Sequence, residues 1–435
     1  MRGLAAQLRA LPLAVLVTVA GAAVIGRVRR PAHPNARTDN PNAPTPSAAA
    51  SMPPIASGLA APLRAPASAG DAGRDSGDDA GSTTTAPRMV HGSPRHLPRS
   101  NAHGPRTAKM GWRAKVDGGV AAQVTTSPDE RTLYVATLAG SLVALARDDG
   151  KQRWSTSLGE RVYSTPLVAD DGTIYAGSDA KKLTALSAEG AVLWRLEVDG
   201  EADSGPVLAK DGTIVFAAGS SVYSVRRGGD VAWRFTAKGK IFTAPALGDD
   251  GLVIVGSQDD RVYAIGPGGA LAWSVDLGAD VDGSAVIGDD GTITVGTDKD
   301  ELVRLDGHGT IAWRTKVGGY VRGVLSLARN GDVLAGTYGP VPRLVRVAPD
   351  GTIRGAFAIK GTGAREFGIH GGPLEDAEGT LFFGAQDDAA YAIDTEGAVR
   401  WRFETGADVD APLSMLSDGS LVVASEDGTI TMLLP

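Results

Sequence analysis

After residue 109 the chain alternates apolar and polar positions in short runs separated by glycine-bearing turns, and the same order of runs keeps returning. In one unit, Asp171-Gly172 opens the run Thr173-Ile174-Tyr175-Ala176-Gly177-Ser178, and a turn leads to Leu183-Thr184-Ala185-Leu186. A glycine turn then precedes Ala191-Val192-Leu193-Trp194-Arg195-Leu196, and Ser204-Gly205-Pro206-Val207-Leu208 returns to the next Asp-Gly. Period-two alternation bounded by Gly and Asp is a strand signal, so each unit predicts a four-stranded antiparallel meander. No segment after residue 109 sustains a helical period.

Seven tryptophans mark the phase: Trp112, Trp154, Trp194, Trp233, Trp273, Trp313 and Trp401, spaced by 42, 40, 39, 40, 40 and 88 residues. Gly355 stands where the eighth would fall in the double gap. A fixed period of this length means an array of units that lean on their neighbours, and radial repetition of four-stranded sheets is a β-propeller. Eight strand pairs open at Thr132, Thr173, Thr213, Leu252, Thr292, Asp332, Thr380 and Ser420. The last ends at Leu434-Pro435 with no Trp run after it, whereas Gly111-Trp112-Arg113-Ala114-Lys115 precedes the first. The fold expected for 109–435 is therefore an all-β, eight-bladed propeller whose N-terminal Trp strand completes the last blade, so that the ring has no open edge.

The first 108 residues have another character. Arg2 and Arg9 flank a polar start, Leu11 to Gly26 is an apolar run, and Ala20-Gly21-Ala22 resembles a small-residue cleavage site. Residues 1–30 thus predict a secretory signal peptide or an uncleaved membrane anchor, and either one exports the propeller. Residues 31–108 are rich in Pro, Ala, Ser, Gly, Asp and Thr and nearly free of aromatics, which predicts a disordered linker. Charge divides at the same boundary. Residues 1–108 hold 12 Lys+Arg against 5 Asp+Glu, and subtraction from the totals of 43 and 50 leaves 31 against 45 for the remainder. An acidic propeller lacks the basic stripe that nucleic acid requires, so no nucleic-acid partner is expected.

The repeat carries a family resemblance. Ala392-Ile393-Asp394-Thr395-Glu396-Gly397-Ala398-Val399-Arg400-Trp401 matches, with one residue deleted, the pattern Ala-x-Asp-x-x-(Thr/Ser)-Gly-x-x-x-Trp of quinoprotein-type propellers. Ala144 to Trp154 has the full length without the Asp, and Ala185…Trp194 and Ala264…Trp273 keep Ala, Gly and Trp. Ser224, Arg304 and Arg346 replace the Ala in three other blades. The resemblance covers about 109–435 and implies that each indole packs over a small Ala on the neighbouring sheet, with its N–H on a backbone carbonyl. The seven tryptophans are then structural docking residues. WD repeats share the period, but Trp is followed here by Arg or Ser rather than Asp.

Quinoprotein enzymes, by that resemblance, hold a quinone and calcium with Glu, Asn and Asp in long face loops and often carry a vicinal cysteine pair. This chain has no cysteine, and Asn330 in an Asn-Gly-Asp turn is the one Asn of its propeller. No cofactor, metal or catalytic residue is expected, and the chain reads as no enzyme. His308 and His370 alone fall within 109–435, too few for a His-based metal cluster. The recurring Asp-Asp and Asp-Gly pairs sit at hairpins, where turn geometry explains them.

Aligning the segments that lead into each innermost strand places Tyr163, Asp203, Phe242, Asp282, Arg322, His370 and Asp410 in a ring at the channel mouth. Such a ring fits a small polar ligand or a partner's loop, and equally a water-filled rim whose charges neutralise one another. Two neighbouring repeats also break pattern, at Tyr338-Gly339-Pro340-Val341-Pro342 and at Gly361 to His370, a loop containing Arg365, Glu366 and Phe367. Irregular loops on a rigid scaffold are candidates for partner binding. The function expected is a non-catalytic, monomeric, exported propeller that scaffolds a protein partner in the cell envelope. It would be similar in kind to the propeller subunit of the outer-membrane β-barrel assembly machinery, with residues 1–30 as a possible membrane tether. The alternatives are a small-ligand or saccharide sensor using the channel mouth and a divergent quinoprotein dehydrogenase.

Overall fold

The structure is a computed structural model and describes residues 87–435. The signal-or-anchor reading of 1–30 and the linker reading of 31–86 lie outside the described residues.

Eight four-stranded antiparallel sheets follow one another along the chain. In blade 3 they run Val207–Leu208, Ile214–Ala218, Ser221–Val225 and Val231–Thr236, from the channel outward. The second strands begin at Thr132, Ile174, Ile214, Val253, Ile293, Val333, Leu381 and Leu421, within one residue of the positions read from the alternation. In blade 8, Met110–Lys115 lies against Thr429–Leu433, with Lys115 opposite Thr429.

Burial follows from position in the ring. Second strands such as Ile174–Ser178 are buried on both faces because each blade is sandwiched between two others. Outer strands such as Val192–Glu197 alternate exposed and half-buried residues. Close blade approach selects glycine in the second strand: a Cβ on Gly177 would lie 2.2 Å from the Ala202 carbonyl oxygen of the incoming segment of blade 3. The Asp-Gly turns also have a local cause. Asp171, Asp250 and Asp290 each accept the amide two residues on, at 3.0 Å, and the intervening Gly172, Gly251 and Gly291 have φ near +80°.

The indoles dock differently from the arrangement implied by the family resemblance. Ala144, Ala185, Ala264 and Ala392 pair with Trp154, Trp194, Trp273 and Trp401 inside the same sheet. What the next blade offers is a turn glycine: a Cβ on Gly190 would lie 2.6 Å from the Trp154 ring, and one on Gly309 would lie 2.8 Å from Trp273. The same turns supply carbonyl acceptors. Trp112, Trp154, Trp194, Trp273 and Trp313 donate to Arg147, Ala188, Arg227, Gly307 and Pro349, and Trp401 donates to Pro105, all at 2.7–2.9 Å. Trp233 completes the set of seven but has no such partner among the described residues.

The boundary drawn at residue 108 is corrected. Residues 87–108 are part of the folded unit: Val90, His91 and His96 are buried, and Val90 and Leu97 pack against blade clusters. The carbonyls of Pro87, Arg88, Pro94, Arg95 and Pro98 accept the amides of Thr126, Val168, Leu247, Ile287 and Glu375, at 2.6–3.1 Å. These amides occupy the second position of the inner strands of blades 1, 2, 4, 5 and 7. In blade 6, Arg99 donates to the Leu327 and Ala328 carbonyls instead. A segment whose composition offers little apolar surface is ordered here because the inner edges of the blades present unpaired main-chain donors that it satisfies.

Candidate functional site

The channel has two dissimilar mouths. At the first, where the chain enters each inner strand, Asp282, Arg322 and Asp410 of the aligned ring residues bond to side chains of the preceding blade. Gln258 donates to Asp282, Arg322 to Asp298 and Gln386 to Asp410, each pair 24 residues apart. Arg322 is held on three sides: its Nε and Nη2 meet Asp298 at 2.9 and 2.6 Å, and its Nη1 meets Glu366 at 2.7 Å. Arg161 lies over the Tyr163 ring and Lys240 over Phe242, both at 5.7 Å.

Electrostatics at this mouth favour neutral carboxyls. Burial and the nearby Asp179 raise Asp203 to about 8, and burial with Asp298 raises Asp282 to about 7. Carboxylate oxygens of Asp280, Asp282 and Asp298 lie within 4.8 Å of one another, so they could hold a cation. The guanidinium of Arg322 already supplies positive charge to that group.

The two irregular repeats meet beside the ring. The Tyr338 amide donates to Tyr320 and the Gly339 amide to Phe367, which zips the 338–342 segment to the long loop. Tyr338 turns inward, with its hydroxyl 2.6 Å from Nδ1 of His370, and Phe367 is partly buried against the core between blades 6 and 7. Arg365 and Glu366 are the exposed members, and Arg365 lies 4.4 Å from the Tyr320 ring centre. The two pattern-breaking loops thus meet, and two of the four side chains singled out on them, Tyr338 and Phe367, are turned into packing.

The opposite mouth is crossed by residues 87–100. Here the count of histidines read from 109–435 was incomplete, because the segment carries His91 and His96 into the protein. Their rings stand 5.0 Å apart, edge to face. The Nδ1–H of His96 donates to the Ala285 carbonyl at 2.9 Å, and the His91 amide donates to the Gln123 side chain. Burial lowers His96 to about 4 and His91 well below 6.5, the latter also through His96 and His370. Burial likewise lowers His370 to about 4, although the residue keeps some solvent contact.

Beside this segment, over blade 3 and reaching to Gln123, Asp289, Leu374 and Met415 on other blades, lies a cavity of about 680 Å³, bordered also by Leu208, Val215, Ser224, Trp233, Leu247 and residues of the segment. Sequence reasoning missed it; the available signal was Ser224, a polar residue at the position where other blades place Ala.

Eight four-stranded blades, seven of them carrying the phasing Trp and the ring closed by the N-terminal strand, define a PQQ-type β-propeller. The chain belongs to the family described as outer membrane protein assembly factor BamB, whose model matches residues 101–202, 179–266 and 258–354. Over 115 residues it is 31% identical to the outer membrane protein assembly factor BamB of Escherichia coli (strain K12). That match covers 23% of this chain and 29% of the relative, so the chain spans under a third of that protein's length. BamB from Moraxella catarrhalis superposes with a TM-score of 0.61 at 16% identity, over 74% of this chain and 98% of that one. Quinohemoprotein alcohol dehydrogenase from Comamonas testosteroni gives 0.69 at 13% identity, over 81% and 82%. At such identities the two structures have the fold in common with this chain.

Proposed function

We propose that this protein is a non-catalytic, exported propeller that acts as a protein-interaction platform in the cell envelope, tethered or secreted through residues 1–30. The observation that carries this reading is membership of a family described as outer membrane protein assembly factors. The channel rim supports it from the other side. Its charged groups bond to one another across blades, as in Arg322 with Asp298 and Glu366, which favours a structural belt over a reaction centre. The loops of blades 6 and 7, with Arg365 and Glu366 exposed on a rigid base, are the proposed partner surface. In this reading the propeller works as a monomer.

The test is in-cell cross-linking of the tagged full-length protein, followed by mass spectrometry of the captured partners. A reproducible envelope partner cross-linked near Arg365 and Glu366 supports both the role and its face. A well-expressed protein that captures no partner sinks the platform reading.

A further inference from the structure

We infer that the cavity over blade 3 is a peptide-binding site, which takes a short, extended, uncharged segment of a partner protein against the open inner edge at Leu208. The inference rests on the interaction role proposed above and assigns it a second surface. Three hydrogen-bonding groups left over from the repeat pattern border this one cavity.

The first is the main chain of Leu208. In five blades the equivalent amide donates to the N-terminal segment, but between Arg88 on blade 2 and Pro94 on blade 4 the chain dips inward at Val90–Gly92. Blade 3 is passed over, and no carbonyl of the segment meets Leu208. Of the eight equivalent positions, Leu208 is the one that is not buried.

The second is the indole of Trp233. Its six counterparts donate to a carbonyl of the next blade or, for Trp401, of Pro105. Trp233 still stacks on its turn glycine, Gly269, and Pro267 stands where Pro349 accepts the bond from Trp313. Trp233 has no hydrogen-bond partner among the described residues. The third is the Ser224 hydroxyl. It sits opposite Trp233 in the sheet, is fully buried, and has no hydrogen-bond partner. The Ser224 hydroxyl is a buried polar group left unpaired, and with the open Leu208 amide and the unbonded Trp233 indole around the same space it points to an acceptor-rich ligand.

An extended peptide is the ligand that fits. The N-terminal segment already pairs its carbonyls with the inner edges of blades 2 and 4, and a bound peptide would continue that interface across the blade it skips. The cavity walls at Leu208, Val215 and Leu247 are apolar. Charged groups at its border already have partners: Arg95 lies 3.0 Å from Asp289 and Lys210 lies 2.9 Å from Asp249, Arg329 donates to Ser100 and Asn101, and Asp211 and Asp250 accept amides of their own turns. An uncharged, apolar segment therefore matches better than a charged one. The volume lies within the range of about 300–1,000 Å³ typical of sites for compact ligands.

The probe is a phage-displayed library of short random peptides panned on the full chain, with two variants. Leu208→Pro removes the amide that faces away from the sheet ladder. Ser224→Arg fills the cavity with a residue the fold accepts at this position elsewhere, since Arg304 bonds Asp290 and Thr292 in blade 5 and Asp211 and Thr213 are their equivalents here. Enriched peptides should be uncharged, should shift the Trp233 indole N–H resonance, and should bind both variants about tenfold or more weakly. No enrichment over an unrelated protein overturns the inference, as does equal affinity for wild type and variants. Indole shifts from small apolar amides but never from peptides would overturn it too. A failed panning beside a cross-linked envelope partner removes this site while leaving the interaction role standing.

Discussion

The two mouths of the channel are closed by different parts of the chain. At the rim, seven of the eight blades contribute a named residue that leads into the inner strand, and bonds such as Gln258 to Asp282 and Gln386 to Asp410 run blade to blade in steps of 24 residues. At the other mouth, one stretch outside the repeat, Pro87 to Ser100, lays its main-chain carbonyls on the inner strands of five blades. The first closure is written in the repeat and distributes its charges among neighbours. The second is a single element whose side chains, His91 and His96 above all, are buried without charge. The buried rim carboxyls Asp203 and Asp282 and the segment's histidines therefore respond to acid in opposite directions.

The largest expected effect follows from that contrast. The unfolded chain takes up protons on His91, His96 and His370 as pH falls below about 6.5, while the native forms stay neutral until about 4 or lower. Stability present above pH 6.5 is then lost between 6.5 and 4, by about 3 kcal/mol each for His96 and His370 at 1.36 kcal/mol per unit. Urea midpoints at pH 7 and pH 4.5 should show the loss, and the double variant His91→Gln, His96→Gln should remove much of it. Equal acid sensitivity in wild type and variant would mean that the histidine-bearing segment does not govern this mouth.

Next in size is Arg322→Ala. It strips Asp298 of a two-pronged partner and leaves three carboxyls, Asp280, Asp282 and Asp298, close together without their cation. Breaking a largely buried pair from one side is expected to cost about 3 kcal/mol. Thermal unfolding of the variant checks it. A change under about 1 kcal/mol would show that rim charges are merely neighbours and not a belt.

Asp282→Asn tests the sign at the rim. The folded carboxyl holds its proton up to about pH 7, whereas the unfolded one releases it near 3.8. The native state thus binds more protons over that window, and wild-type stability falls as pH rises through it. Asn cannot ionise. Its stability relative to wild type should rise by about 3 kcal/mol between pH 5 and pH 8.5, whatever fixed cost the substitution carries. A pH-independent difference would place the Asp282 proton elsewhere.

The same contrast explains what could be read from the sequence. Blade number, strand starts and ring closure were legible because each is repeated and local, as Thr173 to Ser178 illustrates. Ring positions were legible by alignment, but their pairings were not, since Arg322 chooses Asp298 and Glu366 through chain neighbours on two different blades. The 87–108 segment was misassigned to the linker because its order comes from long-range main-chain bonds. His96 meets Ala285 across 189 residues, and no periodicity announces that. Trp233 was read as one docking residue of seven, and only geometry separates it from the other six.

The smallest predicted effect is the sharpest test of how the two closures differ. Arg95 lies 3.6 Å from Asp249 and 3.0 Å from Asp289, and those carboxylates are 72% and 68% exposed. If main-chain bonds hold the segment, this ion pair adds little, because exposed pairs contribute about 0–1 kcal/mol and salt screens them. Arg95→Ala should therefore change stability by about 0.5 kcal/mol or less, and hydrogen exchange at the Leu247 and Ile287 amides should stay slow, since Pro94 and Arg95 still offer their carbonyls. Rapid exchange at those amides in the variant, reversed by Arg95→Lys, would show that side-chain charge pins this mouth as it does the rim. The division between a repeat-encoded belt and a main-chain closure would then fail.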